Sequence, residues 1–247
     1  MQRILIVGAN SAIAHETAKL FARDGAQLFL IGRDSDKLSN VADDLKVRGA
    51  GKIETAQADL ANLDSHQALF DQAVQALDGL DAILIAHGTL PDQGETQASV
   101  EATIREFTVN SVSVISLLTI AANYFEQQKR GTIAAIGSVA GDRGRQSNYI
   151  YGAAKASIEA YMQGLRNRLY KAGVSVLIIK PGTVDTPMTA GFKKGPLFAS
   201  PQKVAQEIHD AMLKGKDVLY TPFYWRYIML IIKSIPEPVF KRLNLKA

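Results

Sequence analysis

Residues 3–14 read RILIVGANSAIA, an apolar run rich in β-branched side chains that reaches a glycine at Gly8. Such a run is typical of a strand buried in a parallel sheet, because helices cover both faces of that strand. A helix is expected to follow, with Asn10 or Ser11 as its N-cap, and residues 27–31 (QLFLI) form a second apolar run. A strand, a helix and a strand within about 30 residues predict a right-handed βαβ unit.

The turn after the first strand, residues 8–14 (GANSAIA), is a candidate phosphate site. At this point of a βαβ unit, backbone N–H groups and the helix N-terminus face the pyrophosphate of a dinucleotide. Gly8 is the only glycine where the usual Gly-x-x-x-Gly-x-Gly pattern has three, and alanines stand at the other two places. Alanine is the smallest replacement, so close approach is retained, although a plain tight turn would explain the stretch if it stood alone. The predicted cofactor contacts here are Gly8, Asn10, Ser11, Ala12 and Ile13.

The end of the second strand bears on the choice of cofactor. An acidic residue there would bind the ribose 2′-hydroxyl of NAD, whereas an arginine accommodates the 2′-phosphate of NADP. The sequence has Gly32 and then Arg33, whose guanidinium can pair with a phosphate and stack on an adenine. We therefore predict NADP as the cofactor, with NAD as the alternative. Asp34 is expected to cap a helix over residues 35–47.

The remaining chain alternates in the same way. Strands are predicted at residues 52–58, 80–86, 131–137, 174–180 and 218–221, and helices at 62–77, 100–129, 147–171 and 201–214. This alternation predicts an α/β fold of the doubly wound Rossmann type, a mainly parallel seven-stranded sheet with helices on both faces. We expect one domain over residues 1–222 and an aromatic and basic tail over residues 223–247. Further cofactor contacts are predicted where strands end, at Asp59, Leu60, Ala86, His87 and Gly88.

Residues 138–155 (SVAGDRGRQSNYIYGAAK) follow the fifth predicted strand. Tyr151 and Lys155 lie one helical turn apart and therefore share a face. An ammonium beside a phenol favours the phenolate, so we expect Lys155 to lower the tyrosine pKa from its usual value of about 10. Ser138 stands at the carboxyl edge of the sheet, where ligands of such folds bind. A Tyr-x-x-x-Lys spacing alone occurs by chance in many helices, so its weight comes from this position.

Together these residues resemble the short-chain dehydrogenase/reductase family over nearly the whole chain. The matching positions are Gly8, Asp59, Asn110, Ser138, Tyr151, Lys155 and residues 181–186 (PGTVDT). The resemblance implies that Tyr151 is the general acid of carbonyl reduction and that Ser138 hydrogen-bonds the carbonyl oxygen. It implies that Lys155 holds the nicotinamide ribose, and that Asn110, for which the local pattern alone favours a core amide, positions a water. It also implies cofactor contacts at Tyr151, Lys155, Pro181, Gly182, Val184 and Thr186.

The chain departs from the family pattern in the alanines of the first turn and at residues 85–88 (IAHG), where many members have Asn-Asn-Ala-Gly. A narrower resemblance, in residues 138–151 and in the tail, is to the decaprenylphosphoryl-2-keto-pentose reductase subfamily, the partner of the decaprenylphosphoryl-ribose 2′-epimerase. It implies a keto-sugar on a polyprenyl phosphate as substrate and NADH as cofactor. Because Arg33 favours a 2′-phosphate, NADP stays our first choice. A catalytically inactive NADP-binding regulator or scaffold is the alternative function.

Composition limits the partners. The chain has 247 residues, 47% of them hydrophobic, and a net charge of +4, with seven basic and two acidic residues in residues 214–247. A near-neutral remainder argues against a nucleic-acid surface. The chain has no cysteine, which excludes disulfides and thiolate metal sites, and its four scattered histidines predict no metal. With no signal peptide apparent, and with residues 227–232 as the longest strongly apolar segment, we expect a cytoplasmic protein.

Three further segments bear on partners. The tail mixes aromatic and basic side chains, which suits either peripheral membrane contact or an apolar cover over the domain or a partner subunit. Residues 109–122 are apolar almost all round, so one side is expected on the sheet and the other in a homodimer or homotetramer. Residues 184–199 are expected to form a mobile lid, with Lys193 and Lys194 solvated. Arg143 and Arg145 are expected to be solvated, with contact to an anionic substrate as the alternative.

Overall fold

The computed structural model describes residues 2–245. One sheet has seven parallel strands in the order β3-β2-β1-β4-β5-β6-β7. The strands are β1 (Arg3–Val7), β2 (Gln27–Gly32), β3 (Lys52–Gln57), β4 (Ala82–Ile85), β5 (Thr132–Ile136), β6 (Ser175–Pro181) and β7 (Val218–Thr221). The strand order reverses between β1 and β4, where doubly wound sheets open a ligand crevice. The predicted fold class is confirmed.

Helices cover both faces of the sheet. They are α1 (Ala12–Arg23), α2 (Ser35–Val47), α3 (His66–Leu77), α4 (Gln93–Ala98), α5 (Val100–Phe107), α6 (Ser113–Gln128), α7 (Tyr149–Leu169), α8 (Pro201–Leu213), α9 (Trp225–Ser234) and α10 (Glu237–Phe240). Asp34 caps α2 as predicted, its carboxylate accepting a hydrogen bond from the Lys37 backbone N–H at 3.0 Å.

Alternate residues of each strand enter two separate cores. Leu5 and Val7 of β1 face α3, α6 and α7, whereas Ile4 and Ile6 face α1, α2 and α8. All four side chains are fully buried. Each buried aliphatic side chain of this kind contributes about 1.5–3 kcal/mol of transfer free energy, which explains why strands apolar on both faces lie at the centre of the sheet.

The predicted helix over residues 100–129 is interrupted. A π-helical turn, Thr108–Val112, separates α5 from α6. The whole stretch Val100–Gln128 is long and apolar enough, by length and composition, to cross a membrane, so residues 227–232 are not the longest apolar segment. Leu117, Leu118 and Phe125 of α6 are fully buried against the sheet, which identifies the stretch as a core helix.

The tail folds back onto the domain. Trp225 and Met229 of α9 are buried against Val139, immediately after Ser138 in the chain. The predicted lid is an irregular segment with one 3₁₀ turn, Pro187–Thr189, and a parallel bridge between Val184 and Ala199. The tail is thus a cover over the domain, and its outer face remains exposed.

Candidate active site

The predicted site residues lie at one edge of the sheet. Gly8 follows β1, His87 and Gly88 follow β4, Ser138 follows β5, and Gly182 follows β6. These four strands are neighbours and parallel, so their carboxyl ends open on the same crevice. The topology therefore brings together residues that are as far as 174 positions apart in the sequence.

Ser138 and Tyr151 are held together by close packing of α7 on the turn after β5. The Ser138 hydroxyl accepts a hydrogen bond from the Ala140 backbone N–H at 3.1 Å and so caps the 3₁₀ turn Val139–Gly141. Gly152 lies directly on this turn, since a Cβ there would come within 2.9 Å of the Ala140 carbonyl oxygen. The glycine next to Tyr151 therefore sets how closely the phenol approaches Ser138.

The pKa of Tyr151 differs from the expectation. Burial raises the pKa of Tyr151 above its ordinary value, and hydrogen bonding to Ser138 only partly offsets the rise. The Lys155 Nζ lies 5.6 Å from the Tyr151 ring centroid and donates to the Ile136 carbonyl at 3.1 Å. The predicted lowering of the Tyr151 pKa by Lys155 is therefore wrong for the protein alone, because desolvation of the phenol outweighs the lysine. A neutral phenol remains an O–H donor near neutral pH.

Lys155 is itself strongly affected by its surroundings. It is only 4% exposed, and burial lowers its pKa from 10.5 to about 8. No carboxylate of residues 2–245 lies within salt-bridge distance of it. A lysine of this kind is still mostly charged at pH 7, and it can release or take up a proton near the working pH of most enzymes.

Asn110 sits in the π-helical turn, a geometry found often at functional sites. Its Oδ1 accepts from the Thr89 backbone N–H at 2.9 Å, and its Nδ2 donates to Thr89 Oγ1 at 2.8 Å and to the Glu106 carbonyl at 3.1 Å. A Cβ at Gly88 would come within 2.8 Å of Asn110 Oδ1. Asn110 thus fixes the loop after β4 beside Lys155. The sequence did not indicate that Thr89 and Glu106 would be its partners.

His87 is not a base at neutral pH. Burial, and secondarily the charge of Lys155, lower its pKa from 6.5 to about 3. Its Nε2 pairs with Ser113 Oγ at 2.9 Å, while its buried Nδ1 has no hydrogen-bond partner within residues 2–245. A neutral imidazole with one free nitrogen suits the predicted loop contact to a cofactor.

The turn after β1 has the geometry of a phosphate cradle. Gly8 has φ +84°, and a Cβ there would come within 2.6 Å of the His87 backbone nitrogen, so only glycine fits. Ser11 stands at the N-cap of α1 without a side-chain hydrogen bond. Asn10 instead donates from Nδ2 to the Asp34 carbonyl at 2.9 Å. Ser11 is therefore the N-cap residue, one of the two expected, but its side chain makes no capping hydrogen bond, and Asn10 ties β1 to the turn after β2.

The same asparagine shapes the cofactor end of β2. A side chain at position 32 would collide with Asn10 Oδ1, so an acidic residue at Gly32 would require the Asn10 side chain to move. Asn10 Oδ1 is buried without a partner within residues 2–245, and the neighbouring Arg33 side chain is exposed. Asp59, by contrast, accepts from the Ala61 backbone N–H at 3.0 Å, and the Leu60 carbonyl accepts from His66 at 3.1 Å. Arg33 is therefore the residue at this end of β2 whose charge suits a 2′-phosphate.

The tail contributes a residue that the sequence did not indicate. The indole of Trp225 lies on Gly182, where any side chain would collide with it, and its buried Nε1 has no partner within residues 2–245. Val139 contacts the same indole. Trp225 therefore bridges the Ser138 turn and the loop after β6. The aromatic composition of the tail was the only signal, and it pointed equally to a membrane.

Arg143 is not solvated as expected. Its guanidinium donates to the Ile232 carbonyl at 2.7 Å, to the Ile235 carbonyl at 2.6 Å and to Glu237 at 3.0 Å. It also lies 3.6 Å from the centroid of the Phe240 ring. Arg143 thereby clamps the end of α9 and the start of α10 to the loop between Ser138 and Tyr151. Arg145 is also buried, contrary to expectation, with 9% exposure.

A buried ion cluster anchors the same loop to the sheet. Lys180 of β6 pairs with Asp142 and, at 2.7 Å, with Glu159, and Tyr220 donates to Asp142 at 2.8 Å. The Lys180 and Asp142 side chains are 2% and 0% exposed. Removal of one partner from such a cluster leaves a buried charge uncompensated. The cluster therefore fixes the position of the loop that follows Ser138.

The other predicted elements have simple surroundings. Lys194 pairs with Asp185 at 2.7 Å on the exposed lid segment, and Thr186 and Thr189 form a capping box at its 3₁₀ turn. Within residues 2–245 no group of three or more histidine, aspartate or glutamate side chains could hold a metal ion.

The chain is similar to known proteins over nearly its whole length. The family model for short chain dehydrogenases matches residues 2–196. An uncharacterized oxidoreductase of Mycobacterium tuberculosis is 32% identical over 240 residues, covering 97% of this chain and 96% of its own. An uncharacterized oxidoreductase of Streptomyces coelicolor is 31% identical over 243 residues, covering 97% and 95%. A short-chain dehydrogenase from Sphingobium yanoikuyae in complex with NADPH superposes with a TM-score of 0.82 at 25% identity, covering 96% and 97%. A bulky-bulky ketone specific alcohol dehydrogenase from Comamonas testosteroni, 22% identical, shares the fold with a TM-score of 0.79 over 96% of each chain.

Proposed function

The chain belongs to the short-chain dehydrogenase family and is an oxidoreductase acting on CH–OH and C=O groups, and we propose that it reduces a ketone with NADP and with Tyr151 as the general acid. The observation that carries this proposal is the convergence of Ser138, Tyr151 and Lys155 with Asn110 at the carboxyl edge of four neighbouring strands. NAD remains the alternative cofactor.

The side chains of the crevice have complementary proton chemistry. Bound NADPH would supply the hydride to the carbonyl carbon and would leave as NADP. The neutral Tyr151 phenol donates its proton to the carbonyl oxygen, and the Ser138 hydroxyl donates a hydrogen bond to the same oxygen. The phenolate that remains is stabilised by the charged form of Lys155, whose pKa of about 8 lets it pass a proton on. Asn110 would hold a water of this relay.

The cofactor contacts are proposed residue by residue. The backbone at Gly8, Ser11, Ala12 and Ile13 binds the pyrophosphate, with Asn10 orienting the turn. Arg33 binds the 2′-phosphate, a contact favoured by its exposed guanidinium, which has no ion pair within residues 2–245, and by a strand that ends at Gly32 without a carboxylate. The adenine, ribose and nicotinamide contacts are assigned to Asp59, Leu60, Ala86, His87, Gly88, Tyr151, Lys155, Pro181, Gly182, Val184 and Thr186. The NADPH complex of the Sphingobium yanoikuyae relative supports this choice of cofactor.

A keto-sugar on a polyprenyl phosphate is the finer substrate that we propose, delivered at a membrane surface in the cytoplasm. The outer face of α9 supports this, because Tyr227, Leu230 and Ile231 are 60%, 63% and 67% exposed and lie on one stripe. Arg226 and Lys233 flank the stripe, which suits an anionic interface. The double variant Leu230→Gln, Ile231→Gln should sediment less with anionic liposomes than the wild type or the control Val47→Gln. Equal sedimentation of all three would leave only a packing role for the tail.

We also propose a homodimer or homotetramer assembled through the solvent-facing side of α5 and α6. Val112 remains 38% exposed and Ile104 remains 61% exposed on the side opposite the sheet. Sedimentation velocity of the purified chain tests this, since a monomer at micromolar concentration would contradict the assignment.

The substitution Tyr151→Phe tests the proposed acid. It removes the proton donor and keeps the ring, so kcat should fall by about 10²–10⁴-fold while NADPH binding is retained. Tyr149→Phe is the matched control, because Tyr149 lies two residues before Tyr151 on α7 and is 41% exposed. Retained activity in Tyr151→Phe would place the acid elsewhere.

The alternative is an NADP-binding regulator without catalysis. The intact set of four polar side chains argues against it. A wild-type protein that binds NADPH but turns over no member of keto-sugar and hydrophobic ketone panels, with either NADPH or NADH, would favour the regulator.

A further inference from the structure

One charged group in the loop that precedes Tyr151 has no hydrogen-bond or ion-pair partner within residues 2–245. Arg145 lies in the loop between Ser138 and α7, is 9% exposed, and its Nε is fully buried without a hydrogen bond. Within residues 2–245 its guanidinium makes no ion pair and no hydrogen bond. Its neighbour Arg143 is the opposite case, with two carbonyls, Glu237 and an aromatic ring around it.

An unpaired guanidinium at this depth is costly. Arginine does not release its proton in proteins, so it cannot escape burial by becoming neutral. A buried charge costs several kcal/mol unless an opposite charge and hydrogen bonds compensate it. The carboxylates of the neighbourhood are already committed, Asp142 to Lys180 and Tyr220, and Glu237 to Arg143.

Two further polar atoms around the same helical turn are also unmatched. The buried Gln93 Nε2 and Asn148 Oδ1 have no hydrogen-bond partner within residues 2–245. Both residues adjoin Tyr151, since Gln93 Oε1 accepts from the Ile150 backbone N–H at 3.3 Å and the Asn148 backbone N–H donates to the Arg145 carbonyl at 3.0 Å. Gln93 and Asn148 thus lie at the first turn of α7, which carries the proposed acid, and Arg145 lies in the loop that leads into that turn.

We propose that Arg145 binds an anionic group of the carbonyl substrate, a phosphate ester or a carboxylate, with Gln93 as a second donor. The planar fork of an arginine pairs side-on with two oxygens of either anion through Nε and Nη. Asn148 accepts a hydrogen bond from a donor on the same substrate. This inference rests on the proposed ketone reduction for the reaction, and it adds the charge of the substrate and the residue that selects it.

Matched pairs of ketones test the selection. Dihydroxyacetone phosphate is compared with dihydroxyacetone, and levulinate with methyl levulinate, in wild type, Arg145→Met and the distant exposed control Arg23→Met. The ratio of kcat/KM for the anionic over the neutral member should fall about 10- to 100-fold in Arg145→Met, the usual range for a lost charged hydrogen bond. A lower ratio in the first pair identifies a phosphate site, and a lower ratio in the second pair identifies a carboxylate site. An unchanged ratio in both pairs would overturn the proposal.

Direct binding separates this inference from the proposed reaction. Calorimetric titration of glycerol phosphate and of levulinate into the NADPH-saturated protein needs no turnover. Wild type and Arg23→Met should bind at least one of the two anions, and Arg145→Met should lose that binding even if no ketone is reduced. Arg145→Lys keeps the charge without the fork and should retain part of the affinity, which a purely structural arginine would not predict. Equal binding by wild type and Arg145→Met would refute the site.

Discussion

Replacement of Arg143 by methionine should release the C-terminal tail from the catalytic loop without unfolding the domain. Methionine keeps most of the side-chain volume but removes every donor that reaches the carbonyls of Ile232 and Ile235 and the carboxylate of Glu237. The sheet and its two cores make no use of these contacts, because the clamp joins only the loop between Ser138 and Tyr151 to the end of α9 and to α10.

The magnitude follows from the contacts. Each hydrogen bond that involves a charged group stabilises the docked position of the tail by about 1.5–3 kcal/mol. The contact to Glu237 adds little, because its carboxylate is 73% exposed and exposed pairs contribute at most about 1 kcal/mol. The guanidinium on Phe240 adds about 0.5–1 kcal/mol. A loss of about 3 kcal/mol from the local opening free energy corresponds to roughly a 100-fold rise in tail opening.

Hydrogen exchange followed by mass spectrometry measures this opening. Amides of residues 225–240 should exchange about 100-fold faster in Arg143→Met, while those of α6 keep their wild-type protection. Arg226→Met is the matched control, since Arg226 is exposed on the same helix. Because Trp225 lies on Gly182, kcat/KM for a ketone should fall with the protection. Unchanged exchange over residues 225–240 would refute the clamp, and faster exchange with full activity would remove Trp225 from the site.

Two other perturbations test the cofactor end and the buried lysine. Arg33→Ala should weaken NADPH binding about 10-fold, the low end for a charged hydrogen bond at an exposed site, and leave NADH binding nearly unchanged in fluorescence titrations; equal losses would remove the 2′-phosphate contact. Lys155→Met should abolish one component of the pH dependence of stability. Because burial lowers the Lys155 pKa from 10.5 to about 8, the unfolded chain binds one more proton between these values, so wild-type stability should gain up to about 1.4 kcal/mol per pH unit over this window relative to the variant. Parallel denaturation midpoints of the two proteins from pH 7.5 to 10 would contradict this.

The features that could be predicted from the sequence are those written in short local patterns. Strands such as β1 are apolar on both faces because helices cover both, and the pattern therefore identifies the parallel sheet directly. The position of Ser138 follows in turn, since the carboxyl edge of such a sheet is where ligands bind. Tyr151 and Lys155 needed only helical periodicity and their place after the fifth strand.

The features that could not be predicted depend on distant partners. An exposed arginine, a clamp and an unpaired buried charge look the same in sequence, so Arg143 and Arg145 were both expected in water. The tail had the composition of a membrane segment, and only the fold shows that Trp225 turns inward to Gly182. The effect of Asn10 on Gly32 is similar, because it arises between two turns that the sheet brings together.

Three buried cations near the crevice show three solutions to the same physical problem. Burial acts to lower the pKa of Lys180, but the hydrogen bonds that its ammonium donates to Asp142 and Glu159 outweigh it, so the pKa is raised and the charge is kept. Lys155 is buried with no carboxylate beside it among residues 2–245, and burial lowers its pKa to about 8. It can therefore avoid part of the free-energy cost of a buried charge by losing its proton. Arg145 can do neither, because its neighbouring carboxylates are committed and its proton is permanent. Among residues 2–245 no hydrogen bond or ion pair compensates Arg145, which Asp142 attracts only through space, and a substrate that brings its own negative charge would supply that contact in the position where charge also selects the ketone.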